Sequence, residues 1–495
     1  MAFSHADAFA QYKTKNAPQE TPKSESELIL EEAASSEAPV VITLEQALQI
    51  ALSENVSVKV ADMEIQRAQY AKKGSYAALF PQIDATGAYQ RTIKKQVMYM
   101  DFDMSSIMGG AGGEGTELPD GVELPDGVEI PESGEGAAPG GSDNGGGLEV
   151  GRWNTWSAGV SAAMPLVNAQ LWKSLKISGL DVELAVEKAR SSRLDMVTQV
   201  KNAYFATLLA KEAFEVYKQV YENAVQNLEE TEKKYRAQKV SDMELLRAKT
   251  TVANAIPNVY NAEGSVILSL WQLKAILGVD LDMNLDVAGK LEDWSEHMFY
   301  DIHQHDSISL DRNTTMKQLA IQAEMLAETI KVQQYANIPS LAVAFNFSYN
   351  AMTNDFNFSE YRWTPYSYVG LSLNIPIFAG GKRYHAIRQA RNQYQQVQLQ
   401  TVNTERQLKI AIRQSLNAME TNMKSYYASK DALAAAQKGY DIVAKSYQVG
   451  RSTLIEVNDA QLALTQAQLG ASQAVYNFLT AKAQLEQTLG QDFVN

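Results

Sequence analysis

Glu456 and Asp459 stand three residues apart in a stretch of helical periodicity, so both carboxylates share one helix face. Acids so placed hold cations when several copies gather around an axis, and on a lone helix they form an ordinary solvated face. Glu244 and Arg247 occupy the same two places 212 residues earlier (456 − 244 and 459 − 247). His297, His303 and His305 with Asp301 and Asp306 could in principle ligate a metal, but His-x-His in a polar connector is usually solvated. The segment 101–150 holds 12 Asp and Glu and no Lys or Arg. Calcium is conceivable there, but 14 glycines and irregular ligand spacing favour a low-complexity loop. With no Cys there is no disulfide, thiolate metal site or Cys nucleophile. No catalytic triad, metal motif or phosphate loop is present, so neither enzyme chemistry nor a cofactor is expected.

The acids are placed by a duplication. Asn55-Val56 to Phe80-Pro81 aligns without a gap on Asn313-Thr314 to Ile338-Pro339 at an offset of 258 residues. Met164-Pro165 matches Ile375-Pro376 at 211, and Tyr235, Glu244, Ala248, Leu277 and Gly278 match Tyr447, Glu456, Ala460, Leu489 and Gly490 at 212. The first copy carries 47 more residues between its junction prolines (84 from Pro81 to Pro165 against 37 from Pro339 to Pro376). The expected divisions are an arm at 1–41, a first repeat at 42–279, a connector at 280–310, a second repeat at 311–490 and a tail at 491–495. Residues 11–41, rich in Ser, Glu, Pro and Lys, read as flexible. Ala8-Phe9-Ala10 before Gln11 fits a small-x-small cleavage site, the remnant of a signal peptide.

Within each copy the period changes. Thr43 with Gln46 has capping-box spacing and opens a helix expected to continue to about Leu79. No proline interrupts Leu166–Ile256 or the chain after Pro376, so very long helices are expected near Trp172–Ala237 and Tyr384–Val449. Val457, Ala460, Leu464, Ala467, Ala471, Ala474, Phe478, Ala481 and Leu485 alternate steps of three and four, as do the residues 212 earlier. Such a seam marks closely packed coiled coils, in which Pro257 should kink the first copy. Between the junctions the period is two: Leu341, Val343, Phe345, Phe347 and Tyr349, then Val369, Leu371, Leu373 and Ile375. Ile83, Ala85, Gly87 and Tyr89, then Trp156, Ala158, Val160, Ala162 and Met164, repeat this in the first copy. Trp153, Trp156, Tyr349, Tyr361, Trp363, Tyr366 and Tyr368 crowd the hairpin ends as a membrane-interface girdle would.

The charge of −14 falls to −2 without segment 101–150, so nothing suggests a nucleic-acid partner. No apolar run is long enough for a transmembrane helix, whereas amphipathic strands can still span a membrane in a barrel. Four strands per chain cannot close one, so they should be shared between subunits. A soluble coiled-coil scaffold would explain the heptads alone but not the paired amphipathic hairpins.

The chain resembles the TolC-like family of outer-membrane efflux proteins over roughly residues 40–490. The resemblance rests on the duplication, Phe80-Pro81, Pro165, Ile338-Pro339, Ile375-Pro376-Ile377-Phe378 with Gly380-Gly381, and Tyr447-x-x-Gly450 leading into Thr453–Ala460. It implies a mainly α fold of long antiparallel coiled coils and four strands per chain, three chains sharing a 12-stranded β-barrel in a homotrimer. It also implies an outer-membrane location in contact with lipid, a helical tunnel in the periplasm, and passive export of small molecules or proteins. The implied partners are a periplasmic adaptor and an inner-membrane transporter of the RND, ABC or MFS type, in drug efflux or type I secretion. Glu456 and Asp459 would ring the periplasmic constriction, with Tyr447, Glu244 and Arg247 among the gate residues. The family's arginine corresponds to Ser452, with Arg451 one residue early. Adaptor contacts would fall on Gln238, Lys239, Gly450, Arg451 and Ser452.

Overall fold

A computed structural model describes residues 39–98, 148–298 and 309–491. In chain order the elements are β1 (Val40–Ile42), α1 (Leu44–Glu54), α2 (Val56–Ala77), β2 (Gln82–Arg91), β3 (Gln96–Met98), β4 (Leu148–Val150), β5 (Asn154–Val167), α3 (Ala169–Arg236), α4 (Asp242–Leu277), β6 (Leu285–Val287), a 3-10 turn (Leu291–His297), α5 (Thr314–Tyr335), β7 (Ser340–Thr353), β8 (Thr364–Asn374), α6 (Lys382–Gln448) and α7 (Leu454–Leu489). The described residues fall into two compact units, one built from 73–175 and 331–387 and one from the remainder.

The first unit is organised by an antiparallel sheet of order β2-β5-β7-β8. Its register sorts the side chains into two faces, because directly paired residues point the same way. One row joins Ile83, Ala162, Phe345 and Val369, and the next toward the helices joins Met164, Val343 and Leu371. The opposite face carries Asp84, Ser161, Asn346 and Tyr368 in one row and Thr86, Gly159, Ser348 and Tyr366 in the next. The apolar face is bare in the single chain: Ile83 is 69 % exposed and Leu371 70 %. Pro165 sits beside a register shift before Val167, where a residue without an N–H is tolerated.

Two expectations are corrected here. Tyr366 and Tyr368 pair with Ser348 and Asn346 on the polar face, so they do not belong to a girdle on the apolar one. Leu148–Val150, read as part of the acidic loop, forms β4 and pairs with β3. The rest of that loop lies outside the described residues, as do His303, His305, Asp301 and Asp306.

In the second unit the expected seam is the buried one. Val457, Leu464, Ala474, Phe478 and Leu485 on α7 and Ala248, Ala255, Ala262 and Leu273 on α4 are all buried. The assignment of α4 runs through Pro257 without a break. Each copy closes on an asparagine clasp. Asn55 Nδ2 donates to Ile276 O and Asn313 Nδ2 to Thr488 O, both at 2.7 Å, while their Oδ1 atoms accept from Ser57 N–H and Met316 N–H. The long helices end beside the clasps at Gly278 (φ 78°) and Gly490 (φ 66°). A Cβ on Gly278 would meet Asn55 Cα at 3.0 Å, and one on Gly490 would meet Arg312 O at 2.2 Å. Both the left-handed backbone and the approach require glycine.

The clasp also corrects the first helix. Thr43 and Gln46 form both bonds of the capping box, but the helix stops at Glu54 and restarts at Val56, because Asn55 takes an extended backbone (ψ 130°). Val40 and Val41, placed in the arm, and Ile42, the first residue of the first repeat, pair in parallel with Leu285–Val287 of the connector. Tyr204 secures this pairing, its hydroxyl lying 2.7 Å from Ala288 O and 3.2 Å from Ile42 O.

Burial, with the charge of Asp286 nearby, pushes the Tyr204 phenol up to about 12. A folded-state value above the unfolded one gives stability that is complete below pH 10 and lost as pH rises through about 12. Tyr204→Phe should therefore flatten the alkaline limb of a stability-against-pH curve, while lowering neutral stability by about 1 kcal/mol.

Small seam residues are not equivalent. Ala474 is 4 % exposed, so Ala474→Leu should cost about 1–3 kcal/mol by overpacking. Ala471, which the heptad pattern makes equally intolerant of bulk, instead lines a cavity of about 820 Å³ with Tyr426, Leu433 and Val475. Denaturant unfolding should find Ala471→Leu within about 0.5 kcal/mol of the parent.

Candidate functional site

Each pair of long helices is joined by a short polar turn, and the two turns share one hydrogen-bond pattern. Gln238 N–H donates to Tyr235 O at 2.8 Å and Lys239 N–H to Lys234 O at 2.9 Å; Gly450 N–H donates to Tyr447 O at 3.0 Å and Arg451 N–H to Ser446 O at 2.8 Å. The pattern ends a helix on a left-handed residue, here Gln238 (φ 56°) and Gly450 (φ 78°). The helices that follow also begin alike, with Ser241 Oγ accepting from Glu244 N–H and Thr453 Oγ1 from Glu456 N–H, both at 3.3 Å. Only the second start closes a capping box, in which Glu456 Oε2 accepts from Thr453 N–H at 2.8 Å.

That difference leaves Glu244 free for another partner. Tyr447 is 2 % exposed and packs with Ala248, Leu454 and Val457. Its hydroxyl lies 2.6 Å from Thr231 Oγ1, and the Lys234 ammonium sits 3.6 Å from the centre of its ring. Lys234 also donates to the main-chain carbonyl of Tyr447. Burial raises the Tyr447 phenol above its usual range, opposed by the bond to Thr231 and assisted by the charge of Glu244. Burial lowers the Lys234 amine, opposed by Glu244 and Glu230. Thr231, Lys234 and Glu244 of the first copy thus hold one tyrosine of the second, a non-covalent latch with no nucleophile or metal cage. Among the described residues no group of three His, Asp or Glu could hold a metal ion.

The other singled-out residues lie around this latch. Glu456, Asp459, Arg247, Gln238, Lys239, Gly450 and Arg451 are exposed, and Ser452 is half-buried. Tyr447 and Glu244 are brought together, whereas Glu456 is engaged with its own helix start. Lys234 and Thr231 were absent from the expected set. Thr231 lies on the helical seam spacing, but nothing in the sequence distinguishes Lys234 from its solvated neighbours Lys233 and Arg236.

A model of the outer membrane efflux protein family matches residues 133–279 and 307–491. The chain belongs to that family. It is 22 % identical over 349 residues to the outer membrane protein TolC of Vibrio cholerae, covering 68 % of this chain and 76 % of that one. The fold matches the CmeC outer membrane channel of Campylobacter jejuni with a TM-score of 0.66 at 16 % identity, over 96 % of this chain and 93 % of that one. The VceC outer membrane protein of Vibrio cholerae matches with a TM-score of 0.65 at 15 % identity, over 91 % and 97 %. Members of the outer membrane efflux protein family are channel proteins with a helical tunnel in the periplasm, and the long helices and amphipathic strands described above are the elements of such a channel. No helix among the described residues is long and apolar enough to cross a membrane.

The shared turn carries a direct test. A side chain on a left-handed residue is strained where glycine is not, so Gln238→Gly should steady the first tip by up to about 1 kcal/mol and Gly450→Gln should loosen the second by a similar amount. Amide hydrogen exchange across 236–241 and 448–453 should slow in the first variant and quicken in the second.

Proposed function

We propose that this efflux protein works as a homotrimer in which three four-stranded sheets form one 12-stranded barrel, continued by a tunnel of coiled coils that is gated at the tips. The observation that carries this reading is the sheet: an apolar face, a polar face, and two unpaired edges at β2 and β8. The apolar face meets lipid, the polar face lines the lumen, and β2 of one chain pairs with β8 of the next. Segments 42–279 and 311–490 are then two repeats of one tunnel-wall unit, with 280–310 as a belt at its middle.

The channel is passive and depends on an energised inner-membrane transporter of the RND, ABC or MFS type, reached through a periplasmic adaptor. The polar turns Gln238-Lys239 and Gly450-Arg451-Ser452 are the adaptor's contact surface. Cargo is set by the transporter, which agrees with the range of relatives: one is named for pyoverdine export and another for alkaline protease secretion. Opening requires the latch around Tyr447 to yield. Glu456 and Asp459, exposed at the start of α7, ring the constriction and favour cations there.

The test removes charge but keeps the helix start. Gln replaces Glu in a capping box, so Glu456→Gln with Asp459→Asn neutralises two carboxylates per chain without uncapping α7. In planar bilayers the double variant should lose cation preference and lose block by divalent cations added on the periplasmic side, with its trimer intact. Unchanged selectivity and block would place both carboxylates on the outer surface of the tunnel.

A further inference from the structure

The apolar face of the sheet does not end in solvent-type residues at the hairpin tips; it ends in aromatics and then cations. Along β2 that face reads Ile83, Ala85, Gly87, Tyr89, Arg91, and along β5 it runs from Met164 through Val160 to Trp156 and Asn154, with Arg152 just beyond. The turn between β7 and β8 lies over this end. Phe356 is 6.2 Å from Tyr89 and Phe358 is 5.0 Å from Trp156, ring centre to ring centre. The turn is fixed there by Asp355 O, which accepts from Asn154 Nδ2 at 3.0 Å, Thr353 Oγ1 at 3.0 Å and Tyr361 OH at 2.9 Å. Phe356 and Phe358 nevertheless remain 53 % and 57 % exposed.

The cations are held over the aromatics. The Arg91 guanidinium lies 5.8 Å from the Phe356 ring centre, the Lys95 ammonium 5.1 Å from that of Trp153, and Arg152 Nη1 donates to Met352 O at 3.2 Å. Asp355 in the turn accepts from Asn357 N–H at 3.4 Å. Apolar surface, an aromatic band and then positive charge is the order in which acyl chains, interface and phosphates follow one another in a membrane. The tips lie at the strand ends away from the helices, and the helices belong to the periplasm, so this end meets the outer leaflet.

From this arrangement we infer a lipid-binding site for a phosphorylated, acylated glycolipid of the outer leaflet, with Arg91, Lys95 and Arg152 taking the phosphates and Phe356 and Phe358 the first segments of the chains. Arg91 ends β2, Lys95 lies in the connection just beyond it and Arg152 in the connection just before β5, and three cations so placed fit a headgroup with two phosphates better than one. The inference rests on the barrel reading. The competing partner for the cations is the chain's own acidic segment.

The experiment uses the full-length protein, stripped of lipid in detergent and examined by native mass spectrometry with lipid A, phosphatidylglycerol or phosphatidylcholine added at equal concentration. Lipid A should be retained in preference to both. Each cation near an anionic lipid surface contributes roughly a factor of five, so R91Q/K95Q/R152Q should lose about a hundredfold in lipid A affinity. The single variant Arg152→Gln, beyond the strand end, should lose about fivefold and serves if the triple variant does not assemble. Lys382→Gln, at the other end of the strands, should change nothing. Equal retention of lipid A by the tip variants, equal retention of phosphatidylglycerol by the parent, or retention of lipid A only after deletion of 101–147 would each overturn the site. A parent that forms no trimer would refute the shared barrel instead, since an intact trimer lacking lipid preference is a separate outcome.

Discussion

A backbone N–H or C=O without a partner costs several kcal/mol in hydrocarbon, and a four-stranded sheet has two edges lined with such groups. This constraint dictates the rest of the membrane element. The sheet β2-β5-β7-β8 has the alternation of a barrel wall, yet it is far too short to close. In the proposed trimer, pairing its edges with copies of itself would satisfy the backbone and at the same time turn every polar row inward. A one-residue slip in any of the three registers would set a polar row of one strand beside an apolar row of its neighbour, so hydrogen bonding and side-chain pattern enforce the same pairing.

The helical unit obeys a different constraint, the closure of each copy on itself. Asn55 and Asn313 join the start of a short helix to the end of a long one, and Gly278 and Gly490 leave room for that approach. These four residues stand at different offsets within the duplication, 258 for the asparagines and 212 for the glycines, because the insertion lies between them in the chain. They meet in space all the same. The clasp therefore holds the repeat together independently of how long the intervening hairpin becomes.

Much of this was legible because it is periodic. The seam from Val457 to Leu485 and the strands around Phe345 and Leu371 repeat often enough for burial to impose a pattern. Three-residue strands have no period to detect, which is why Val40 and Val41 read as arm and Leu148–Val150 as loop. The restart at Asn55 left the helical spacing on either side in place, and only the recurrence of Asn313 hinted that the residue did more than continue a helix. Ala471 shows the limit of a heptad: spacing places it on the seam, but it lines a cavity with Tyr426, Leu433 and Val475. At the tips, Tyr447 and Glu244 could be matched by motif, whereas Lys234 belongs to a run of lysines and acquires its role only from the ring beneath it.

The two tips show what duplication preserves and what it releases. Their turns close with the same main-chain bonds, Gln238 N–H to Tyr235 O and Lys239 N–H to Lys234 O in one, Gly450 N–H to Tyr447 O and Arg451 N–H to Ser446 O in the other. The side chains have parted: Thr231 corresponds to Val443, Lys234 to Ser446, and the buried Tyr447 to Tyr235, which is 38 % exposed. A tyrosine is thus gripped inside the chain, while its counterpart waits at the surface beside Asp242. In the proposed trimer the contacts between coils would alternate around the ring, one kind within each chain and one between chains, and they would not be equally strong. Within a chain the tyrosine meets a hydroxyl, a cation and a carboxylate; between chains the equivalent positions are a valine, a serine and a Glu456 already bonded to its own helix start. In that trimer the chain-to-chain contacts would part first, and opening would be complete only when the latch around Tyr447 yields as well.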